Sequence, residues 1–236
     1  MPQMGRFCLS LILAMTLCSS ALAQVNVPAG GSINVPAGGS MNLGCVPLNV
    51  QGAFNVNSGQ VSNTGNVSIG SGGNLNGGQG ILSVSGNWNN SGTFVAGTGT
   101  VVFTDGCASG PIQFTGTTQF NNLTLSSNTG RNFIFPPGSV VIITGTLTLQ
   151  GTPGQPINLL TAGGQTTFVM APGAQLVSNN AIGFYVDQNG NVIIGPPSIP
   201  TLNEYGLILL SLLMAGTVLW RGRSGTFGAK RKNQHD

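Results

Sequence analysis

Hydrophobic residues occur along most of the chain in short runs, and each run is bounded by Gly, Asn, Ser or Pro. Within several runs apolar and polar positions alternate, so that Leu82 and Val84 share one side, as do Leu123 and Leu125. This alternation is typical of β-strands with one buried face, and the intervening residues are typical of turns. No segment before residue 199 shows a convincing helical period. The pattern therefore predicts an all-β region, with strands recognisable between residues 81 and 194.

Two all-β architectures fit this pattern: a parallel β-helix (solenoid), and a β-sandwich or mixed β-fold. The segment VPAGGS begins at Val27 and again at Val35. Asn is frequent, and in a solenoid the Asn side chains of successive coils can stack in ladders. Low charge also favours the solenoid, because its interior strands are paired above and below. We therefore expect a β-helix, with the sandwich as the alternative.

The stretch LSVSGNWNNSGTFVAGTGTVVF, with FNNLTLSS and GTLTLQGTPGQPINLL after it, resembles the repeats of bacterial filamentous-haemagglutinin-like and autotransporter surface proteins. The resemblance covers roughly residues 60–190, and its motifs are degenerate. It implies a right-handed parallel β-helix, which we assign to an ectodomain of residues 24–198. Asp187-Gln188-Asn189-Gly190, between two apolar runs, is expected to form a hairpin around Asn-Gly that closes the stack.

Residues 1–23 have the three parts of a secretory signal peptide. Arg6 supplies the positive charge, residues 7–17 are apolar, and Ala21-Leu22-Ala23 has the small residues of a cleavage site. We expect signal peptidase to cut between Ala23 and Gln24, which also removes two of the four cysteines. An uncleaved anchor helix is the alternative.

A second apolar run, residues 205–220, contains no charged side chain. A helix of this length spans about 24 Å, short of the about 30 Å of a hydrocarbon core, and snorkelling arginines or bilayer thinning can make up the difference. We therefore expect a single transmembrane helix, with a buried core helix as the alternative. The basic residues after it place the tail, residues 221–236, in the cytoplasm and the ectodomain outside. These stop-transfer residues are Arg221, Arg223, Lys230, Arg231 and Lys232.

The residues that precede this run carry a second resemblance. They are similar to the opening of the IPTL-CTERM sorting domain, whose usual form is IPTLSEWG; here Asn203 replaces Ser and Tyr205 replaces Trp. The similarity extends over residues 199–236, which include the motif at 199–206, the apolar helix and the basic tail. It implies that an exosortase-type sorting enzyme recognises and processes the tail. The matching residues are Ile199, Pro200, Thr201, Leu202, Glu204, Tyr205 and Gly206.

Charged residues make up 5% of the chain, against roughly 25% in a typical soluble domain. Between Gln24 and Ser198 only Asp105, Arg131 and Asp187 are charged. That region has no His, Lys or Glu, so it lacks a base to activate one of its hydroxyl groups. The scarcity of Lys and Arg excludes a nucleic-acid-binding patch. We expect no catalytic, cofactor or metal site and no enzymatic activity.

Other residues that could form a catalytic, calcium or sugar-binding site are explained more simply by a structural role. Asp105 and Asp187 could form a glycosidase pair, but each lies in a turn-like segment and is expected to be a turn residue. The GGxGxD pattern of calcium-binding repeats is missing. Trp88 and the phenylalanines are expected to stack inside the core rather than form a sugar-binding surface. Thr-x-Thr pairs, such as Thr146 and Thr148, do not recur at one coil period.

Cys45 and Cys107 remain after export, and thiols in an oxidising compartment usually pair. The solenoid argues against a disulfide: at about 20 residues per coil, the two lie about three coils, or about 14 Å, apart. A disulfide needs its Cα atoms within about 7 Å. Both cysteines lie beside turn residues, so a loop or an N-terminal cap that folds back could close this gap. The disulfide is therefore a hypothesis.

Together these features predict an exported, non-catalytic structural or adhesin-like protein. It is expected to be anchored in the cell membrane facing outward, and then sorted to the cell surface or the exopolysaccharide matrix. Surface glycans are candidate partners. Two alternatives remain: a fibril-forming matrix subunit that self-associates through unprotected strand edges, and a β-helix module that binds carbohydrate or ice.

Overall fold

The computed structural model describes residues 23–196 and 208–214. The chain divides into two units, residues 1–196 and 197–236. The described part of the first unit consists of short strands joined by turns. These strands are β1 (Val25–Val27), β2 (Ser32–Asn34), β3 (Ser40–Asn42), β4 (Leu48–Val50), β5 (Ala53–Asn55), β6 (Gln60–Thr64), β7 (Val67–Ile69), β8 (Asn74–Asn76), β9 (Ile81–Val84), β10 (Trp88–Asn90), β11 (Thr93–Val95), β12 (Thr100–Phe103), β13 (Ile112–Thr115), β14 (Gln119–Phe120), β15 (Asn122–Ser126), β16 (Asn132–Phe135), β17 (Val140–Ile143), β18 (Thr146–Gln150), β19 (Ile157–Thr161), β20 (Thr166–Met170), β21 (Gln175–Asn179), β22 (Ala181–Ile182), β23 (Phe184–Val186) and β24 (Val192–Ile194).

Successive strands alternate among three faces of a solenoid of about seven turns. Face 1 is an eight-stranded sheet that runs from β1 to β22, and face 3 is a seven-stranded sheet that runs from β3 to β21. Face 2 is divided between a four-stranded sheet, β2 to β11, and a five-stranded sheet that starts at β14. Neighbouring coils pair in parallel, as between β12 and β15. The predicted parallel β-helix is therefore confirmed, and the sandwich alternative is wrong.

The register between coils places similar side chains of successive coils on top of one another. On face 3, Leu82 pairs with Val101, Val101 with Leu123, and Leu123 with Leu147. All four side chains are buried and belong to one continuous core. The alternation of apolar and polar positions therefore identifies the inward-facing residues correctly, because side chains along a strand point to opposite faces of its sheet.

Aromatic side chains fill the middle of this core. Phe114 stacks on Phe135 with ring centroids 4.3 Å apart, and Phe135 packs edge-on against Phe168. Trp88 is fully buried, and its indole N–H donates to Thr118 Oγ1 at 3.1 Å. The prediction of an internal aromatic stack is confirmed.

Glycine is needed where the backbones of successive coils touch. Gly97 has a φ of +59°, and a Cβ there would collide with the carbonyl oxygen of Gly78 in the coil before it. Gly78 has a φ of +57° and meets the carbonyl oxygen of Asn57 in the same way. A residue with a side chain would be strained at both positions. The high glycine content thus reflects stacked corners as well as flexible turns.

The two ends of the solenoid differ. At the C-terminal end, β23 and β24 form an antiparallel hairpin through Asp187–Gly190, and β24 also pairs antiparallel with β20. The hairpin predicted around Asn-Gly is confirmed, and it extends face 2. At the N-terminal end, β1, β2 and β3 are each the outermost strand of their sheet.

The second unit is described only at residues 208–214, which are helical. The predicted transmembrane helix covers residues 205–220, and the rest of that range lies outside the described residues. In the described part of the chain, no helix is both long enough and apolar enough to cross a membrane. The structure therefore gives the predicted transmembrane helix no support.

Candidate functional site

The turns from face 3 to face 1 bring several polar side chains of the solenoid together. In three successive coils these turns comprise residues 104–111, 127–131 and 151–156. They stack along one edge of the molecule, and we call this edge the polar corner. Two of the three charged residues between Gln24 and Ser198 lie in it.

Arg131 is buried in the polar corner, where its guanidinium donates to three main-chain carbonyl oxygens. Nε donates to Gly110 at 2.8 Å, Nη1 to Thr104 at 2.8 Å, and Nη2 to Ser85 at 3.0 Å. Burial lowers the pKa of Arg131 from its ordinary value, and the nearby carboxylate of Asp105 opposes that shift. The side chain therefore joins turns from three coils.

Asp105 holds the turn of the following coil in place. Its Oδ2 accepts hydrogen bonds from Ser127 Oγ at 2.9 Å, from Asn128 N–H at 2.8 Å and from Thr129 Oγ1 at 3.1 Å. Its Oδ1 lies 3.7 Å from Arg131 Nε. Asp105 is thus a turn residue, as predicted, and it also forms an ion pair that the sequence did not indicate.

A disulfide joins Cys45 to Cys107, with their Cα atoms 5.3 Å apart. Cys45 lies after β3 in the first coil, and Cys107 lies in the longer turn that follows β12. The estimate of a 14 Å gap was wrong because this turn does not stay at the level of its own coil. Gly106 approaches both Ser85 and Asn63, which belong to the two coils before it. The turn of residues 104–111 therefore folds back toward the N-terminal end.

A surface groove of about 560 Å³ lies in the polar corner and includes the last residues of β15 and β18. It is lined by residues 104–106, 126–129 and 150–152, all of which are Thr, Asp, Gly, Ser, Asn or Gln. The side chains of Asn128 and Gln150 are exposed and form no hydrogen bond with any described residue. The groove therefore offers donors and acceptors that the fold itself does not use.

Asp187 lies far along the chain from this groove, in the hairpin turn between β23 and β24. Its Oδ1 accepts from the main-chain N–H of Asn189 at 2.9 Å and of Asn191 at 2.8 Å. Partial burial raises its pKa, but the hydrogen bonds from Asn191 and Asn189 outweigh that effect, so the pKa lies below its ordinary value. The structure does not bring Asp187 and Asp105 into one site, and each serves its own turn.

Most of the predicted targeting residues lie outside the part that the structure describes. These are the sorting-motif residues at 199–206, the basic residues between 221 and 232, and Ala21 of the cleavage site. Ala23 and Gln24 are described, and they directly precede β1. Cleavage after Ala23 remains a prediction. Over residues 23–196 and 208–214, no group of three or more His, Cys, Asp or Glu could hold a metal ion.

These features define a class of protein: a β-solenoid followed by a separate C-terminal segment. The model of the IPTL-CTERM motif matches residues 197–224 of that segment. The match confirms the resemblance seen in the sequence, and it indicates a C-terminal sorting tail on an exported, surface-directed protein. A comparison with curated proteins and one with solved structures each found no match.

Sequence reasoning did not identify the groove or the contacts of Arg131. One signal was available: Arg131 is the only cation between Gln24 and Ser198. A lone cation in an apolar solenoid is expected to be paired if it is buried. Which groups it meets depends on the stacking of coils, and Ser85 is one of them although it lies 46 residues earlier.

Proposed function

We propose that this chain is a non-catalytic structural protein, exported through its signal peptide and displayed at the cell surface or in the exopolysaccharide matrix. The observation that carries the proposal is the sorting motif at residues 197–224, placed after a solenoid that ends at β24. A sorting tail after a regularly stacked solenoid fits a protein that is displayed outside the cell for a structural role.

The chemistry of the solenoid supports a non-catalytic role. Arg131 is buried and engaged by three carbonyl oxygens, and the carboxylates of Asp105 and Asp187 each hold a turn. General acid–base or nucleophilic catalysis needs a titratable group positioned at a substrate. The charged groups between Gln24 and Ser198 are instead committed to the fold.

In this proposal the C-terminal tail directs the sorting of the protein. Under the same proposal, the apolar run of residues 205–220 holds the precursor in the membrane, and the Lys and Arg residues of the tail that follows it stop its transfer. An exosortase-type enzyme recognises the motif that begins at Ile199 and processes the tail. Signal peptidase and this sorting enzyme are therefore the expected partners.

Deletion of residues 199–236 in the native host tests the proposal. The truncated protein is expected in the periplasm or the medium, because nothing remains to retain it. Replacement of both Pro200 and Thr201 with Ala is expected to leave insertion intact but to block processing, so that the precursor accumulates on an immunoblot. Replacement of Asn233 and Gln234 with Ala, outside the motif, is the matched control. Unchanged retention of the deletion variant would contradict the proposed role of the tail.

A second candidate function, self-assembly into fibrils, is favoured by the N-terminal coil. β1, β2 and β3 each pair on one side only among the described strands. Residues 24–104 contain no charged side chain that would oppose addition of another strand. Electron microscopy of the purified, processed protein decides between the two: filaments favour assembly, and a stable monomer favours a display role.

A further inference from the structure

The groove of the polar corner is lined by polar residues from three successive coils. We call the part of the groove that one coil supplies a level; the paired parallel strands of neighbouring coils lie about 4.8 Å apart. Ser126 pairs in register with Gln150 on the adjoining strands β15 and β18. Polar groups therefore follow one another along the solenoid axis, and a linear polymer lying in the groove would meet each level in turn.

Several of these groups are free to bind a ligand. Ser126, Asn128 and Gln150 line the groove, and their side chains make no hydrogen bond within the described residues. Asn and Gln amides each carry two N–H donors and an acceptor oxygen, and a Ser hydroxyl both donates and accepts. Polyhydroxylated ligands match such surfaces, because every hydroxyl of a sugar can both donate and accept.

The charge of the groove restricts the ligand further. Arg131 has a side chain that is 1% exposed and is committed to three carbonyl oxygens, so it offers no accessible cation to an anionic polymer. The Asp105 side chain is 18% exposed and lies 3.7 Å from Arg131. An anionic polysaccharide would approach this carboxylate with no exposed cation beside it, and the buried Arg131 offsets only part of the repulsion. An uncharged ligand avoids that cost.

We infer that this groove binds a neutral, linear polysaccharide along the solenoid axis. The inference rests on the proposed function, since it names a class of matrix ligand for a protein sorted to the surface. No aromatic or aliphatic side chain lines the groove, so binding depends on hydrogen bonds. Affinity is therefore low for a monosaccharide and increases with chain length as successive levels are engaged. An extended peptide fits less well, because the groove has no apolar pocket for peptide side chains.

The test uses the full-length protein and a panel of immobilised polysaccharides. Dextran, mannan and cellulose are neutral, and alginate and polygalacturonate are anionic. Retention is expected on at least one neutral polysaccharide and on neither anionic one. It is expected to persist in about 1 M salt, because hydrogen bonding between uncharged groups is little affected by ionic screening. Combined replacement Asn128→Ala and Gln150→Ala is expected to weaken binding about 10-fold.

The matched control is Gln119→Ala with Asn132→Ala. Both residues are exposed, neither side chain hydrogen-bonds to a described residue, and they lie on β14 and β16, outside the groove. This variant is expected to bind like the unmodified protein, and thermal unfolding should be the same for all three proteins. Equal loss in the control variant would overturn the inference. So would binding to anionic polysaccharides only, or binding of a neutral extended peptide with no polysaccharide bound.

This test separates the inference from the proposed function. The groove variants should be exported and processed normally, since the sorting tail is unchanged. If the protein is sorted normally but binds no polysaccharide, the proposed ligand is wrong and the proposed sorting role is unaffected. A failure of the tail deletion to release the protein would contradict the sorting role alone.

Discussion

The guanidinium of Arg131 donates a hydrogen bond to the carbonyl oxygen of Ser85, two coils closer to the N-terminus, at 3.0 Å. The same side chain also reaches the carbonyl oxygens of Thr104 and Gly110 in the intervening turn. One buried cation thus satisfies carbonyl groups that their own turns leave unpaired. It stabilises the turn of residues 104–111, which carries Cys107 and forms one side of the groove.

Replacement of Arg131 with Met is expected to lower the free energy of unfolding by about 3 kcal/mol. The loss arises because three carbonyl oxygens, of which that of Ser85 is buried, lose their donor and Asp105 loses its cation. Arg131→Lys keeps the charge but not the three-way geometry, so its loss should be smaller. Urea denaturation of the three proteins measures both effects. A Met variant as stable as the unmodified protein would show that these hydrogen bonds contribute nothing net.

Removal of the Cys45–Cys107 bond is expected to cost about 4 kcal/mol in the chain-entropy model for a loop of this size. Cys45→Ala, Cys107→Ala and the double variant should lose about the same stability, because each removes the same bond. A reductant should destabilise the unmodified protein and leave the double variant unchanged. Two alkylated thiols in the unreduced, denatured protein, measured by mass spectrometry, would exclude the bond in the exported form.

Replacement of Gly97 with Ala is expected to destabilise the solenoid by about 2–4 kcal/mol. The added Cβ would strain a φ of +59° and collide with the carbonyl oxygen of Gly78. Gly110→Ala is the matched control, since a Cβ there has no heavy atom within 4 Å. Thermal unfolding should separate the two variants clearly. A Gly97 variant that unfolds at the same temperature as the control would show that the stacked corners adjust more easily than their geometry indicates.

The hairpin of β23 and β24 is expected to weaken in acid. The pKa of Asp187 is lowered in the folded protein. The stability that its ionised carboxylate contributes is therefore complete above the pKa of an Asp in the unfolded chain, about 3.9. That contribution is lost as the pH falls through the pKa of Asp187 in the folded protein, which is the lower of the two. The amide shifts of Asn189 and Asn191, followed by NMR, should titrate with a midpoint below about 3.9. Asp187→Asn should abolish this titration, whereas a midpoint at or above the ordinary value would contradict the assigned hydrogen bonds.

The N-terminal strands illustrate where prediction from the pattern failed. β1 to β8 were not recognised, and seven of these eight strands are three residues long. A run such as Val25-Asn26-Val27 is too short to display a period, and its polar residue occupies the outward position. These strands are stabilised by their neighbours: Asn55 Nδ2 donates to Asn34 Oδ1 at 2.7 Å, one coil away. β18 is five residues long, and with Leu147 and Leu149 on one side it alternates over enough residues to be recognised.

The all-β class, the inward-facing residues, the closing hairpin and the sorting motif can be predicted from the amino-acid sequence. Each of these depends on residues that are close together in the chain: a period of two, an Asn-Gly turn, or a contiguous signal. Three other features depend on how the coils stack: Cys107 reaches Cys45, Arg131 reaches Ser85, and residues 104–106, 126–129 and 150–152 form one groove. The physical reason is the length of each turn between strands. Turn length sets how coils stack and which distant residues meet at a corner, and no local pattern of hydrophobic and polar positions encodes that outcome.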